Sequence, residues 1–178
     1  MSKLVEHLLG RHMDLSLHRP MLDEEAGVAT FWLYTLTGQV AGYHQYRPTG
    51  SKGKAENLKD VSKYYTWYSK TLPVQPRVWG LESYHRKTPL FLCEGMFDAA
   101  RLTERGVAAL ATLSNDPGKQ FMYWLRTTNR HVVAVCDNDV AGRKLAKYGN
   151  EAVLCEDGKD LGDASDEYVT SLLARFSY

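Results

Sequence analysis

The chain has 178 residues, 44% of them hydrophobic and 24% charged, and a formal net charge of +1. That composition excludes a disordered or fibrous chain, and it suffices for one ordinary domain, or a domain with a compact appendage, whose core needs no disulfides. No apolar run approaches the ~20 residues that span a bilayer, and the start MSKLVEHLLGRH is too short and interrupted for a signal peptide, so a cytoplasmic protein without a membrane partner is expected.

Residues 3 to 10 can form a short helix, and residues 13 to 28 carry no clear signal. Aromatic and β-branched residues then alternate through Thr30 to Leu36 (TFWLYTL), turn at Thr37-Gly38, and alternate again through Val40 to Tyr46 (VAGYHQY), which reads as a β-hairpin. Gly50 to Lys59 (GSKGKAENLK) reads as a loop. Tyr64 to Tyr68 and Val78-Trp79 are short extended pieces.

After Lys87 the rhythm becomes a β-α alternation. Strands are expected at Pro89 to Cys93, Val107 to Thr112, His131 to Cys136 and Ala152 to Cys155. Helices are expected at Met96 to Arg105, at Asp116 to Thr127 with Asp116 as N-cap and Pro117 at the first position, at Asp139 to Tyr148, and at Asp163 to Phe176. HVVAVC is continuously apolar, as a strand covered on both faces must be. The fold class expected is therefore α/β, with a parallel sheet flanked by helices over residues 88–178 and a smaller, basic, hairpin-rich subdomain over residues 1–87. Cys93, Cys136 and Cys155 form no CxxC pair, which argues against a zinc finger or disulfide framework and for small buried hydrophobes at strand ends. Charge segregates in the same way: bases outnumber acids from Arg47 to Lys87, and acids predominate from Asp137 to Asp166.

In a parallel sheet, function collects at the carboxyl ends of the strands. Glu94-Gly95 follows the first of these strands, Asp137-Asn138-Asp139 the third, and a turn with Glu156, Asp157, Asp160 and Asp163 the fourth. Carboxylates crowded together repel unless a cation neutralises them, and an all-oxygen set suits Mg²⁺, with Mn²⁺ as an alternative. Two such ions serve phosphoryl transfer by activating an attacking hydroxyl and stabilising a leaving oxygen. Gly142, just beyond Asp139, would let the following turn approach closely.

Taken together, Glu94-Gly95-x-x-Asp98, Asp137-Asn138-Asp139-Val140-Ala141-Gly142 and Gly158-Lys159-Asp160 resemble the Toprim domain shared by bacterial-type primases, type IA and II topoisomerases and some nucleases. The resemblance is sharper to the catalytic core of bacterial and phage replicative primases. Leu125 to Arg130 (LRTTNR), Ala141-Gly142-Arg143, the hairpin Phe31 to Arg47, Val61 to Tyr68 and Val78 to Leu81 are each similar to a primase element, so the likeness covers residues 30 to 175. It implies Glu94, Asp137 and Asp139 as catalytic acids, with Glu94 as metal ligand or general base. It implies Mg²⁺ held by Glu94, Asp137, Asp139 and Asp160, with Asp98 and Asp163 in support. Arg47, Lys63 and Arg77 match basic positions that grip template or nucleotide phosphates. Tyr64, Tyr65, Trp67 and Tyr68 could stack bases, although packing within the hairpin accounts for most of them.

Two departures bear on this. The last acidic turn, Asp160-Leu161-Gly162-Asp163, is one residue longer than the primase D-x-D, and Gly42 to Arg47 is one residue longer than the primase hairpin end. The expectation is a stripped, phage-type primase core that makes short RNA primers on single-stranded DNA from nucleoside triphosphates. A replicative helicase or a separate template-recognition protein would be its partner, since no zinc module or helicase-binding domain is recognised. The alternatives are a Toprim nuclease, and a non-catalytic nucleic-acid-binding subunit; a topoisomerase would need a tyrosine-bearing cleavage domain that this length does not hold.

Overall fold

The computed structural model of the chain describes residues 1–51, 62–71, 77–140, 142–156 and 160–176. It begins with helix α1 (Lys3–Gly10), capped by Ser2, whose hydroxyl accepts the Val5 amide at 3.3 Å. The segment without a sequence signal holds a single helical turn, α2 (Leu15–His18), and a short strand, β1 (Met21–Asp23). The turn is capped by Asp14, which accepts the Ser16 and Leu17 amides.

The hairpin forms as expected, as β2 (Val28–Thr35) and β3 (Val40–Tyr46). Gly38 turns it at a φ of +84°, a conformation open to glycine without strain. Strands β4 (Tyr64–Tyr68) and β5 (Arg77–Val78) complete an antiparallel sheet of order β1-β2-β3-β4, with β5 paired to β2. Alternation sorts its two faces. Ala29, Phe31, Leu33 and Tyr46 are buried, whereas Thr30, Trp32, Tyr34, Tyr43 and Gln45 lie on the outer face and are partly exposed. From residue 52 on, the expected Gly/Lys-rich loop lies outside the described residues.

The second sheet is wholly parallel. Its strands are β6 (Leu90–Cys93), β7 (Ala108–Ala111), β8 (Val132–Cys136) and β9 (Glu151–Leu154), in the order β7-β6-β8-β9. Both faces are covered. On one, Phe91, Ala109, Val133 and Val135 pack with Phe97 of helix α3 (Met96–Glu104) and with Val169 and Leu172 of helix α5 (Asp166–Ala174). Leu8, Phe31, Leu33 and Trp79 from the N-terminal part join that same core. On the other face, Leu90, Leu92, Leu110 and Ala134 pack with Phe121 and Leu125 of helix α4 (Lys119–Thr127) and with Leu145 and Tyr148. This two-sided burial explains the uninterrupted apolar strands. Trp79 fastens the two sheets together: its amide and carbonyl bond Ala111 of β7 at 3.0 Å each, while its ring packs edge-on against Phe31.

Three helix expectations need correction. Helix α4 starts at Lys119, after Gly118, and not at Asp116. The Asp116 carboxylate instead accepts from the Tyr148 hydroxyl and pairs with Lys147 at 2.9 Å, so it serves a tertiary contact and not a cap. The segment after Asp139 is a 3₁₀ helix, Gly142–Tyr148, packed tightly on the strand end. The last helix starts at Asp166, capped by Ser165, and a separate 3₁₀ turn holds Leu161–Asp163. All three cysteines are buried free thiols, as expected. No helix among the described residues is long and apolar enough to cross a membrane.

Candidate active site

The parallel register sets the ends of β6, β8 and β9 side by side, and each end delivers acids to one rim. After β6 the chain passes Glu94 and Gly95 and enters α3, placing Asp98 in the helix's first turn. A Cβ at Gly95 would overlap the Asp98 Oδ2, so glycine is what lets that carboxylate fold back over the helix start. Asp98 is also tied to the far loop, where its Oδ1 accepts the Gly162 amide at 2.7 Å.

After β8, Asp137 is half-buried and Asp139 is exposed. The Gly142 amide donates to the Asp139 Oδ1 at 2.5 Å. A Cβ on Gly142 would come within 2.5 Å of the Asp137 carbonyl oxygen and 2.9 Å of its Cβ, so the close approach anticipated from Gly142 is real and fixes both acids. After β9, Asp160 opens the 3₁₀ turn Leu161–Asp163, and Asp163 pairs with Arg11 at 3.4 Å. The Ala141 position and the expected Gly158-Lys159 lie outside the described residues.

These acids face a cleft of about 300 Å³ between the two sheets. Glu94, Asp98, Asp137 and Asp160 line it from the parallel sheet; His44, Tyr64 and Thr66 from β3 and β4, with Arg11 from the end of α1, line it from the N-terminal part. Asp139 and Asp163 are not among its lining residues, and neither are Arg47, Lys63 and Arg77. Arg47 is buried beside Gln45 at 3.4 Å with its Nη1 unpartnered. Lys63 lies over the Tyr46 ring at 5.8 Å, and Arg77 over the Tyr68 ring at 4.5 Å.

Arg11 is the residue that sequence reasoning missed. Its guanidinium sits 4.4 Å from the Phe97 ring centroid and its buried Nε has no hydrogen-bond partner. It reaches the site from a helix more than eighty positions away, and no local spacing advertises that.

Burial and neighbouring negative charge raise the Glu94, Asp98 and Asp137 carboxyls of this cleft above their ordinary values. Burial and then the charges of Asp137 and Asp139 raise the Glu94 carboxyl above its ordinary value. Burial and then Asp160 and Asp139 raise Asp137. Burial pushes Asp98 up to about 6, against the opposing hydrogen bond from Gly162. Such mutual repulsion among oxygen donors is what a hard divalent cation relieves. Among the described residues no group of three or more His, Cys, Asp or Glu side chains is gathered closely enough to hold a metal ion. Facing the acids, His44 is neutral: burial depresses it to about 4, and its Nδ1 is bonded to the Thr66 hydroxyl at 2.7 Å.

A four-stranded parallel sheet with acids after β6, β8 and β9 defines a Toprim-like domain, and the family model described as Toprim-like matches residues 91–169. Over most of its length the chain shares its fold with primase catalytic cores. It is similar to the structure of the DnaG catalytic core (TM-score 0.58, 19% identity, 83% of this chain and 53% of that one). It is also similar to the E. coli primase catalytic core (TM-score 0.58, 20% identity, 84% and 51%). The primase fragment of the bacteriophage T7 primase-helicase protein shares the fold too (TM-score 0.60, 12% identity, 92% and 69%). The chain thus spans about half the length of the first two. No curated protein matches it by sequence.

Proposed function

We propose that the chain is a primase-like nucleotidyltransferase that joins nucleoside triphosphates into short RNA primers on single-stranded DNA. The observation that carries this reading is the cleft itself. Acids from three strand ends face His44, Tyr64, Thr66 and Arg11 of the sheet that precedes the Toprim-like domain, so nucleic acid or nucleotide held by the N-terminal part would meet the carboxylates directly.

Glu94, Asp137, Asp139 and Asp160 would hold Mg²⁺, which when bound polarises phosphate oxygens and neutralises their charge. The 3′-hydroxyl oxygen of one nucleotide attacks the α-phosphorus of the next, its bond to phosphorus forms, the bond to the bridging oxygen breaks, and pyrophosphate leaves. Glu94 takes the hydroxyl proton as general base. Asp98 and Asp163 support the acid loop, and Arg11 adds a guanidinium whose fork fits phosphate oxygens. Arg47, Lys63 and Arg77 would hold the template backbone outside the cleft, with salt-sensitive and weakly sequence-dependent affinity. A helicase or a template-recognition protein would deliver the DNA.

The test is synthesis of labelled oligoribonucleotide from single-stranded DNA, nucleoside triphosphates and Mg²⁺, lost in Glu94→Gln and Asp137→Asn. Mg²⁺-dependent cleavage of the DNA without nucleotides would replace this reading by a Toprim nuclease.

A further inference from the structure

We propose that the outer face of the antiparallel sheet, opposite its buried face, is a base-stacking platform for single-stranded nucleic acid, built on Trp67 and Tyr43. Register places Trp32 opposite Tyr43 and Tyr43 opposite Trp67, so one row of aromatic rings crosses β2, β3 and β4. The Tyr43 and Trp67 rings lie nearly parallel, 18° apart with centroids at 5.5 Å, and Tyr65 leans on Tyr43 at 6.2 Å. The stack runs outward to β4, the last strand of the described sheet, where Trp67 is 42% exposed. A base laid on Trp67 would continue that stack.

The surroundings select nucleic acid over an apolar protein partner. The next row on this face is Thr30, Gln45 and Tyr65, joined by a Gln45-to-Thr30 hydrogen bond at 3.1 Å, so hydrogen-bonding groups and rings occur where a protein dock would place aliphatic side chains. Strands β2, β3 and β4 contain no Asp or Glu, and Lys70 follows the edge strand β4 two residues beyond its end. Three adjacent ring-bearing strands without an acid, with a lysine just past the edge strand, match how single strands are held, bases on aromatic faces and phosphates near positive charge. Cross-strand ring pairs also stabilise a sheet, but that role does not call for exposure of the outermost ring or the absence of acids.

The inference rests on the reading that this chain handles single-stranded nucleic acid, and its test separates the two. Binding of a fluorescently labelled oligo-dT to the full chain is followed by anisotropy, beside an abasic strand of equal length and charge. Trp67→Ala is expected to weaken oligo-dT about tenfold, the size of one lost base stack, and Trp67→Phe to restore most of it. The wild-type chain should prefer the oligo-dT to the abasic strand, and the Trp67→Ala chain should not. Lys70→Ala should lower the salt dependence while keeping that preference. Equal binding of oligo-dT by wild type and Trp67→Ala, with primer synthesis intact, overturns the platform alone. Wild type that binds no oligonucleotide overturns the platform and the nucleic-acid reading together. A dimer abolished by Trp67→Ala would assign this face to self-association and overturn the platform.

Discussion

The carboxylate of Asp98 accepts the Gly162 amide at 2.7 Å, tying the first turn of α3 to the loop that carries Asp160 and Asp163. One half-buried acid thereby sets the spacing between two strand ends that deliver other acids. Its carboxyl, raised to about 6 from 3.8, sets a stability cost at neutral pH. Between pH 4 and 6 the folded chain keeps a proton there that the unfolded chain has lost, so stability from this group is greatest below pH 4 and falls as pH rises towards 6. Asp98→Asn keeps an oxygen for Gly162 without the charge. It should stabilise the protein at pH 7.5 by about 1–3 kcal/mol, and the gain should vanish at pH 4. Thermal unfolding of the two chains at both pH values checks this; equal differences at the two would refute it.

His44 bears on the same profile with the opposite sign. Burial depresses it to about 4 from 6.5, so below pH 6.5 the unfolded chain takes a proton that the folded chain refuses. Stability from the neutral ring is therefore complete above pH 6.5 and is lost as pH falls towards 4. His44→Gln, which can still bond Thr66, should flatten the acid side of the profile. The curve of stability against pH should tilt towards low pH in this variant and towards high pH in Asp98→Asn.

Repulsion at the acid rim links metal binding to stability in a readable way. Mg²⁺ should raise the melting temperature of the wild-type chain, because a ligand that binds only the folded state stabilises it, by about 2.7 kcal/mol at one hundred times its dissociation constant. Asp137→Asn should melt higher than wild type without metal, having lost one of the repelling charges, and should respond little to Mg²⁺. Glu94→Gln should lower the rate of primer synthesis by roughly 10²–10⁴-fold, the range of a lost general base. A wild-type chain whose melting temperature ignores Mg²⁺ would count against the metal site whatever its activity.

Arg101 contributes to the frame and not to the chemistry. It is 1% exposed, yet it bonds Glu104 and His12 at 3.0 Å, the Ala164 carbonyl at 3.3 Å, and Asp166. The guanidinium pins α3 to the start of α5 and to the loop after α1. Arg101→Met should cost about 2–4 kcal/mol, by stranding those acceptors, and Arg101→Lys should recover little, since an ammonium cannot fork to partners on three segments. Denaturant unfolding measures both, and a Lys variant as stable as wild type would contradict the fork argument.

How much of this was legible follows from which forces are local. The parallel strands could be read because burial on both faces leaves continuous apolar runs such as Leu90–Cys93 and Val132–Cys136. The acids Glu94, Asp98, Asp137 and Asp160 could be read because each closely follows such a run, and all four do line one cleft. The start of α4 could not: Asp116-Pro117 has the local form of a cap, and only Tyr148 and Lys147, some thirty residues on, show where the carboxylate goes. Arg11 was invisible because nothing in its neighbourhood distinguishes it from a solvated helix end. The basic trio was legible as charge only, and Arg47, Lys63 and Arg77 all fall outside the cleft lining.

Gly142 offers the sharpest separation of site geometry from stability. Its amide holds Asp139 at 2.5 Å, and its missing side chain leaves room for the Asp137 backbone. Gly142→Ala would place a methyl group 2.5 Å from the Asp137 carbonyl oxygen and 2.9 Å from its amide nitrogen, closer than real contacts allow. Both contacts are with backbone, so a rotamer change gives no relief, and the strand end or the 3₁₀ segment must move. Overpacking of this kind costs about 1–3 kcal/mol, which leaves a folded chain. The displacement falls on two carboxylates at once, so primer synthesis and the Mg²⁺-induced rise in melting temperature should both fall at least tenfold and to near zero, respectively. Circular dichroism should remain that of the wild type. Retention of full activity in Gly142→Ala would mean that Asp137 and Asp139 need not be held in this geometry, and would remove them from the catalytic set.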